Sequence, residues 1–113
     1  MRPHVELIQE SDLVWHPAEL TRGEGKARQR NLSYDEENGG ASTRVVFETA
    51  WSRPAGYHHG DVEWYVMSGQ LKIGERLIGK GGYFRAPAGL RIPAIQVAAG
   101  TDVLIFREFG DWG

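Results

Sequence analysis

The sequence contains no cysteine, which excludes disulfide bonds, thiolate metal sites and cysteine nucleophiles. It also lacks an excess of basic residues, because 13 Lys and Arg stand against 15 Asp and Glu, for a formal net charge of -2. Nucleic-acid-binding domains usually carry a basic face, so nucleic acid is not an expected partner. Any bound metal would have to be held by His, Asp or Glu side chains.

Long apolar runs are missing as well. No stretch approaches the roughly 18 consecutive apolar residues of a membrane span, and residues 1–10 lack the apolar centre of a signal peptide. We therefore expect a cytoplasmic protein that does not cross a membrane. A chain of 113 residues with 41% hydrophobic and 25% charged residues fits one compact domain, spanning residues 1–113, with one core.

Short runs rich in β-branched and aromatic residues recur along the chain, each bounded by Gly, Pro or Asp. These runs are Leu32–Tyr34, Thr43–Ala50, Glu63–Met67, Gln70–Ile73, Tyr83–Arg85, Ile92–Ala98 and Val103–Phe109. Such segments are typical of strands, and no window has the sustained periodicity of a helix. The pattern predicts an all-β antiparallel sandwich or barrel over about residues 31–109, after an N-terminal arm over about residues 1–30.

Two segments carry the polar residues of most chemical interest. The first, from Gly56 to Gly69, places the adjacent histidines His58 and His59 shortly before Glu63 and an apolar strand. The second runs through a glycine-rich turn at 79–82 to Pro87-Ala88-Gly89-Leu90-Arg91-Ile92-Pro93. Imidazole and carboxylate groups at such spacing are typical of metal sites and of acid/base sites.

Together with the closing strand Val103–Phe109, these segments resemble the motifs of the cupin superfamily. Within it, the layout is most similar to the cupin module of zinc-containing anti-sigma factors and to the small diketone and hydroxyacetophenone dioxygenases. The resemblance implies a single-domain jelly-roll barrel, also called a double-stranded β-helix. It further implies an interior divalent metal (Fe, Zn, Mn or Ni) held by histidines and a glutamate, a small-molecule ligand and a homodimer.

Only some of the positions that bind metal in the cupin motifs carry a ligand residue in this sequence. If the first motif is aligned on Glu63, His59 takes the place of the second histidine and Tyr57 that of the first. In the second motif, Ile92 stands where the family has its last histidine. The chain therefore matches the fold of the family better than its metal site.

Strand alternation separates the two histidines. One face would carry Tyr57, His59, Asp61, Glu63, Tyr65 and Met67. The other would carry His58, Val62, Trp64 and Val66. We predict that His59 and Glu63 face the barrel interior, although a bulge at Gly60 would reverse the parity and bring His58 beside Glu63. The candidate metal ligands are thus His58, His59 and Glu63.

Two classes of function fit this site. The first is a metal-dependent, dioxygenase-like enzyme that acts on a small oxygenated organic molecule. The second is a metal-free cupin that binds a small molecule or catalyses acid/base isomerisation or cyclisation, with His59 as acid or base and Glu63 or Tyr57 orienting its ring. A regulatory module that binds another protein is a third alternative.

Further side chains are predicted to bind substrate or to pack the barrel. Arg91, beside the missing histidine position, is a candidate clamp for a substrate carboxylate. Gln96 and Tyr65 are further candidates for substrate binding. Barrel packing is expected from Tyr65, Met67, Phe47, Ile73 and Phe106. The tryptophans are too many for one narrow barrel, so some of them are expected at an intersubunit surface; they are Trp15, Trp51, Trp64 and Trp112.

Overall fold

Two antiparallel sheets form the part of the chain that the computed structural model describes, residues 7–18, 23–34, 40–58 and 60–107. A short 3-10 helix, Glu10–Asp12, precedes the strands. The strands are β1 (His16–Pro17), β2 (Ala27–Tyr34), β3 (Ala41–Phe47), β4 (Trp51–Arg53), β5 (Val62–Ser68), β6 (Gln70–Ile73), β7 (Arg76–Gly79), β8 (Tyr83–Ala86), β9 (Ile95–Val97) and β10 (Asp102–Arg107).

The larger sheet has the strand order β1-β2-β3-β10-β5-β8, and the smaller sheet has the order β4-β9-β6-β7. The last strand, β10, lies between β3 and β5 and pairs with both of them in antiparallel register. Successive strands also change sheet, since β4 and β5 are consecutive in the chain and belong to different sheets. The expected all-β jelly-roll barrel is confirmed. The short strand β1, His16–Pro17, which belongs to the larger sheet, falls within the expected N-terminal arm, and the first long strand of that sheet starts at Ala27.

Burial alternates along the central strands because one face of each strand lines the space between the sheets. On β3, every second residue from Ala41 to Phe47 is buried. On β10 the buried residues are Val103, Ile105 and Arg107. On β5 they are Val62, Trp64 and Val66. The interior of the barrel is therefore formed by the even-numbered residues of β5.

Aromatic side chains fill the centre of the core. The ring of Phe47 lies 5.4 Å from that of Trp51 and 6.0 Å from that of Trp64, centroid to centroid. The rings of Trp51 and Trp64 are 6.3 Å apart, and Phe84 packs edge-on against Trp64 at 5.6 Å. Such pairs contribute about 0.5–1.5 kcal/mol each beyond the area that they bury. Trp51 and Trp64 are thus core residues, whereas Trp112 lies outside the described residues.

Three residues expected inside the barrel lie on its outer face. Tyr65, Met67 and Phe106 are 41%, 38% and 39% exposed, while Phe47 is fully buried and Ile73 packs against the core as expected. Tyr65 and Met67 point outward because Trp64 and its neighbours on β5 occupy the interior. Phe106 points outward because the pairing of β10 with β5 places it opposite the outward-facing Glu63.

An ion-pair network holds the N-terminal segment against the larger sheet. Glu10 lies 2.8 Å from Arg30 on β2 and 2.8 Å from Arg44 on β3. Partial burial acts to raise the pKa of Glu10, but the hydrogen bonds and charges of the two arginines outweigh it and lower that pKa overall. Trp15 makes cation–π contacts with Arg28 and Arg30, whose guanidinium carbons are 4.7 and 4.3 Å from the ring centroid.

Replacing Gly69 by alanine should destabilise the barrel more than the same change at Gly100. Both glycines have a positive φ, +85° and +83°, so each substitution forces an L residue into the left-handed region, at a cost of about 1 to 2 kcal/mol. A Cβ on Gly69 would also lie 2.6 Å from Thr101 Oγ1 and 2.7 Å from Thr101 Cα, whereas a Cβ on Gly100 meets nothing within 4 Å.

Urea denaturation of both variants tests this difference. We expect a lower midpoint for each, with a clearly larger loss for Gly69→Ala. Equal losses would mean that Thr101 moves aside and that the close approach of the two backbones is unimportant for stability.

Candidate functional site

The loop from β4 to β5 carries the candidate residues and is fixed to the connection between β8 and β9. Gly56 and Ile92 exchange two backbone hydrogen bonds, of 3.1 and 2.7 Å. The carbonyl of His58 accepts a 2.9 Å bond from the N–H of Gly89. The two segments that resemble cupin motifs are therefore held side by side at one end of the barrel.

His58 is the described histidine that lies in the interior, with 1% of its surface exposed. Residues 58, 60, 62, 64 and 66 are all buried, so the strand alternation of β5 continues back to the histidine. The described residues on either side of residue 59 therefore show no reversal of the alternation between His58 and Val62. His59 lies outside the described residues, and its predicted place in the interior stays a prediction.

Glu63 lies on the outer face of β5, which corrects the expectation that it points into the barrel. Its carboxylate accepts a hydrogen bond from the Tyr83 hydroxyl on the neighbouring strand β8. This bond to a negative charge, together with partial desolvation, raises the pKa of Tyr83. Strand alternation correctly divided the residues of β5 into two faces. The face predicted to point inward, which carries Glu63, points outward instead.

Asp61 forms hydrogen bonds on the same outer side of the barrel as Glu63. Its carboxylate accepts a 2.8 Å bond from the N–H of Ala88 and a 3.0 Å bond from Arg85 Nη2. The bond from Ala88, followed by that from Arg85, lowers the pKa of Asp61. Both acidic residues at the start of β5 therefore tie that strand to β8 and to the turn that follows it.

The remaining predicted site residues are exposed. Tyr57 and Tyr65 are 51% and 41% exposed. Arg91 is exposed in the connection before β9. Gln96 is exposed on β9, although the residues on either side of it, Ile95 and Val97, are buried. The roles predicted for these residues in catalysis and substrate binding remain predictions, and none of these side chains lies in the barrel interior.

The described residues do not fit the metal site that the resemblance implies. His58 points inward and Glu63 outward, so the two cannot bind the same ion. No group of three His, Asp or Glu side chains within the described ranges could hold a metal. Gly56, Val62 and Ile92, which lie near His58 along the two paired segments, offer no donor side chain.

Two buried arginines were not identified from the sequence. Arg53, at the end of β4, is 3% exposed and donates from Nη2 to the carbonyl of Tyr57 at 3.3 Å. Arg107, at the end of β10, is 3% exposed and donates from Nη2 to Thr43 Oγ1 at 3.0 Å. The sequence did contain a signal for the burial of Arg107. It lies two residues after the apolar Ile105 and therefore on the same face of β10.

The loop also borders a cleft. Residues 53–57 line a surface depression of about 370 Å³. The loop therefore combines an open cleft with the buried side chains of Arg53 and His58, while the bonded pair Arg107–Thr43 is buried on the larger sheet.

Comparisons with known proteins agree with this architecture. A candidate acetylacetone dioxygenase from Methylibium petroleiphilum PM1 superposes with a TM-score of 0.77 at 18% identity, covering 95% of this chain and 78% of that one. The polyketide cyclase RemF from Streptomyces resistomycificus gives 0.70 at 15% identity, with coverages of 93% and 80%. An RmlC-like cupin from Ralstonia eutropha JMP134 gives 0.70 at 17%, with coverages of 96% and 69%.

These similarities establish the cupin fold, and at such identities they establish no activity. A family model described as a domain of unknown function, DUF4437, matches residues 6–113. No curated protein matches the sequence. Within the described ranges, no helix is long and apolar enough to cross a membrane.

The contact between Glu63 and Tyr83 predicts a change in tyrosine titration. In Glu63→Gln, the pKa of Tyr83 should fall back toward the ordinary value of about 10, because the charge that opposes phenolate formation is gone. Since the pKa is raised in the folded protein, the contact stabilises the fold below the ordinary tyrosine pKa, and this contribution is lost as the pH rises through the raised value.

Ultraviolet titration of the phenolates, with Tyr83→Phe to assign the signal, measures this shift. An unchanged titration curve in Glu63→Gln would show that the two side chains do not interact in solution, and the outward placement of Glu63 would lose its support.

Proposed function

The chain belongs to the DUF4437 family and has the cupin fold, and from this starting point we propose that it is a metal-independent cupin. It binds a small oxygenated organic molecule at the end of the barrel that contains His58. The observation that carries this proposal is the orientation of β5, which places His58 inside and Glu63 outside.

His58 is the proposed acid/base group. An imidazole changes protonation state near neutral pH and can both accept and donate a proton. Buried next to apolar strand residues, it can exchange a proton with a carbon acid or an enol of the bound molecule. Such a step supports isomerisation or cyclisation and needs no redox partner. The role that the sequence suggested for His59 is thereby proposed for His58.

The structural neighbours include both a candidate dioxygenase and a cyclase. One barrel can host unrelated activities, so the fold does not choose between them. The donor set of the described residues supports the metal-independent function, because a single interior histidine without an inward carboxylate holds a divalent ion weakly. A dioxygenase-like enzyme, with iron, zinc, manganese or nickel, is the alternative, and it would require His59 as a further ligand.

Metal analysis distinguishes these two proposals. We expect protein purified without added metal, and protein reconstituted with each of the four ions, to hold far less than one equivalent after desalting. The melting temperature should not change with added metal.

Three variants make this measurement decisive. Stoichiometric metal that is lost in His58→Ala or His59→Ala but retained in His16→Ala would overturn the metal-independent proposal. His16 lies exposed on β1, away from the loop, and controls for the general effect of removing an imidazole.

We also propose that the protein forms a homodimer through the outer face of β5, β8 and β10. Tyr65, Tyr83 and Phe106 are exposed there on adjacent paired strands, with Tyr65 directly opposite Tyr83. Contiguous aromatic surface of this kind is typical of interfaces.

The dimer proposal predicts a dimeric mass in light scattering coupled to gel filtration. Tyr65→Glu should raise the dimer dissociation constant roughly tenfold or more, because it places a charge in the apolar centre of the interface. Leu77→Glu, at a 61% exposed position on the smaller sheet, is the matched control and should remain dimeric. A monomeric wild-type protein, or equal effects of the two variants, would contradict this interface.

A further inference from the structure

Residues 7–17 contribute no side chain to the core of the barrel. None of them is buried, including the residues of the 3-10 helix Glu10–Asp12. Three of their apolar side chains, Leu7, Ile8 and Val14, are 91%, 53% and 73% exposed. Burial of apolar surface is the usual force that docks a segment onto a fold. This segment is therefore held mainly by other contacts.

The carboxylate of Glu10 provides an ionic attachment to two strands. It lies 2.8 Å from Arg30 on β2 and 2.8 Å from Arg44 on β3. Arg30 and Arg44 are directly opposite each other in the antiparallel pairing of these strands, and like charges in such positions repel each other. The charge of Glu10 therefore offsets the repulsion between two arginines that the sheet places side by side.

Trp15 adds contacts that are also electrostatic. Its ring contacts the guanidinium groups of Arg28 and Arg30. Backbone pairing of the segment is short, because β1 has two residues and the second of them, Pro17, has no N–H to donate. Since Arg30 contacts both Glu10 and Trp15, it couples the ionic attachment to the position of the ring.

The attachment changes at Ala18. This residue packs against the core, and its N–H donates a 2.9 Å hydrogen bond to the carbonyl of Ala27. Residues 15–18 also line a cleft of about 570 Å³ together with residues 25–28 and Glu48. Movement of residues 7–17 about Ala18 would therefore remove part of the lining of this cleft and uncover Arg30 and Arg44.

We propose that residues 7–17 form a strap that the charge of Glu10 holds on the larger sheet, and that the strap leaves the sheet as one unit when this charge is lost. Ala18 is the fixed point of the movement. The barrel stays folded in the released state, because its core contains none of the strap residues. The strap thus controls access to the cleft and to the arginines on β2 and β3, whatever molecule the barrel itself binds.

Acid is the most direct way to remove the charge. The groups that face Glu10 are Arg30 and Arg44, with Asp102 bonded to Arg44 from β10 and Asp12 in the same 3-10 helix. Partial burial acts to raise the pKa of Glu10, but the two arginines lower that pKa overall. The charge therefore stabilises docking above the ordinary glutamate pKa of about 4.5, and this contribution is lost as the pH falls through the lowered value.

The fluorescence of Trp15 reports the position of the strap, when it is taken as the difference between each protein and the same protein with Trp15→Phe. In Glu10→Gln at neutral pH, we expect this emission to shift to longer wavelength and to be quenched more strongly by acrylamide. Asp12→Asn removes a charge from the same 3-10 helix and should leave both properties unchanged. Unchanged Trp15 emission in Glu10→Gln would overturn the proposal.

Hydrogen–deuterium exchange distinguishes release of the strap from unfolding of the barrel. In Glu10→Gln, amides of residues 7–17 should exchange roughly tenfold faster or more, while those of β3, β5 and β10 keep their wild-type rates. In the wild-type protein, acid should change the Trp15 emission at a higher pH than it changes the far-ultraviolet circular dichroism of the barrel. Faster exchange throughout the barrel, coincident acid transitions, or a Glu10→Gln variant that does not fold would show that the segment is an integral part of the fold, and each would refute the strap.

Discussion

The contact of Trp64 with Phe47 and Trp51 in the barrel centre fixes the orientation of β5, and the site depends on that orientation. The ring centroids are 6.0 and 6.3 Å apart, and Trp64 is 2% exposed. Removing a buried tryptophan side chain from a core costs about 3–5 kcal/mol. Turning β5 over would expose this ring and bury Glu63 instead, so the observed face is strongly preferred.

Through the pairing of β5 with β10, the orientation of β5 also determines which residues face inward at the end of the barrel that contains His58. Trp64 lies opposite Ile105 and Val62 opposite Arg107, so the inward residues of β10 follow those of β5. In the other direction, alternation through Gly60 brings His58 inside. Hydrophobic packing at the centre therefore positions the interior histidine and one of the two interior arginines.

The sequence predicted the fold because the short strand runs and the turns between them are local signals. It also separated His58 from Glu63, since alternation has a fixed period. It did not predict which group faces inward, because both faces of β5 carry large apolar residues, Tyr65 and Met67 on one and Trp64 on the other. The partner that accommodates Glu63 outside is Tyr83, which is twenty residues away in sequence and becomes adjacent only through the β5–β8 pairing.

Charge is divided between the two sides of the barrel wall near His58. Outside, Asp61 and Glu63 bind donors on β8 and the following turn. Inside, the described charged groups are Arg53 and Arg107. Because both carboxylates at the start of β5 are engaged on the outside, neither of them stands beside His58 to complete a metal site.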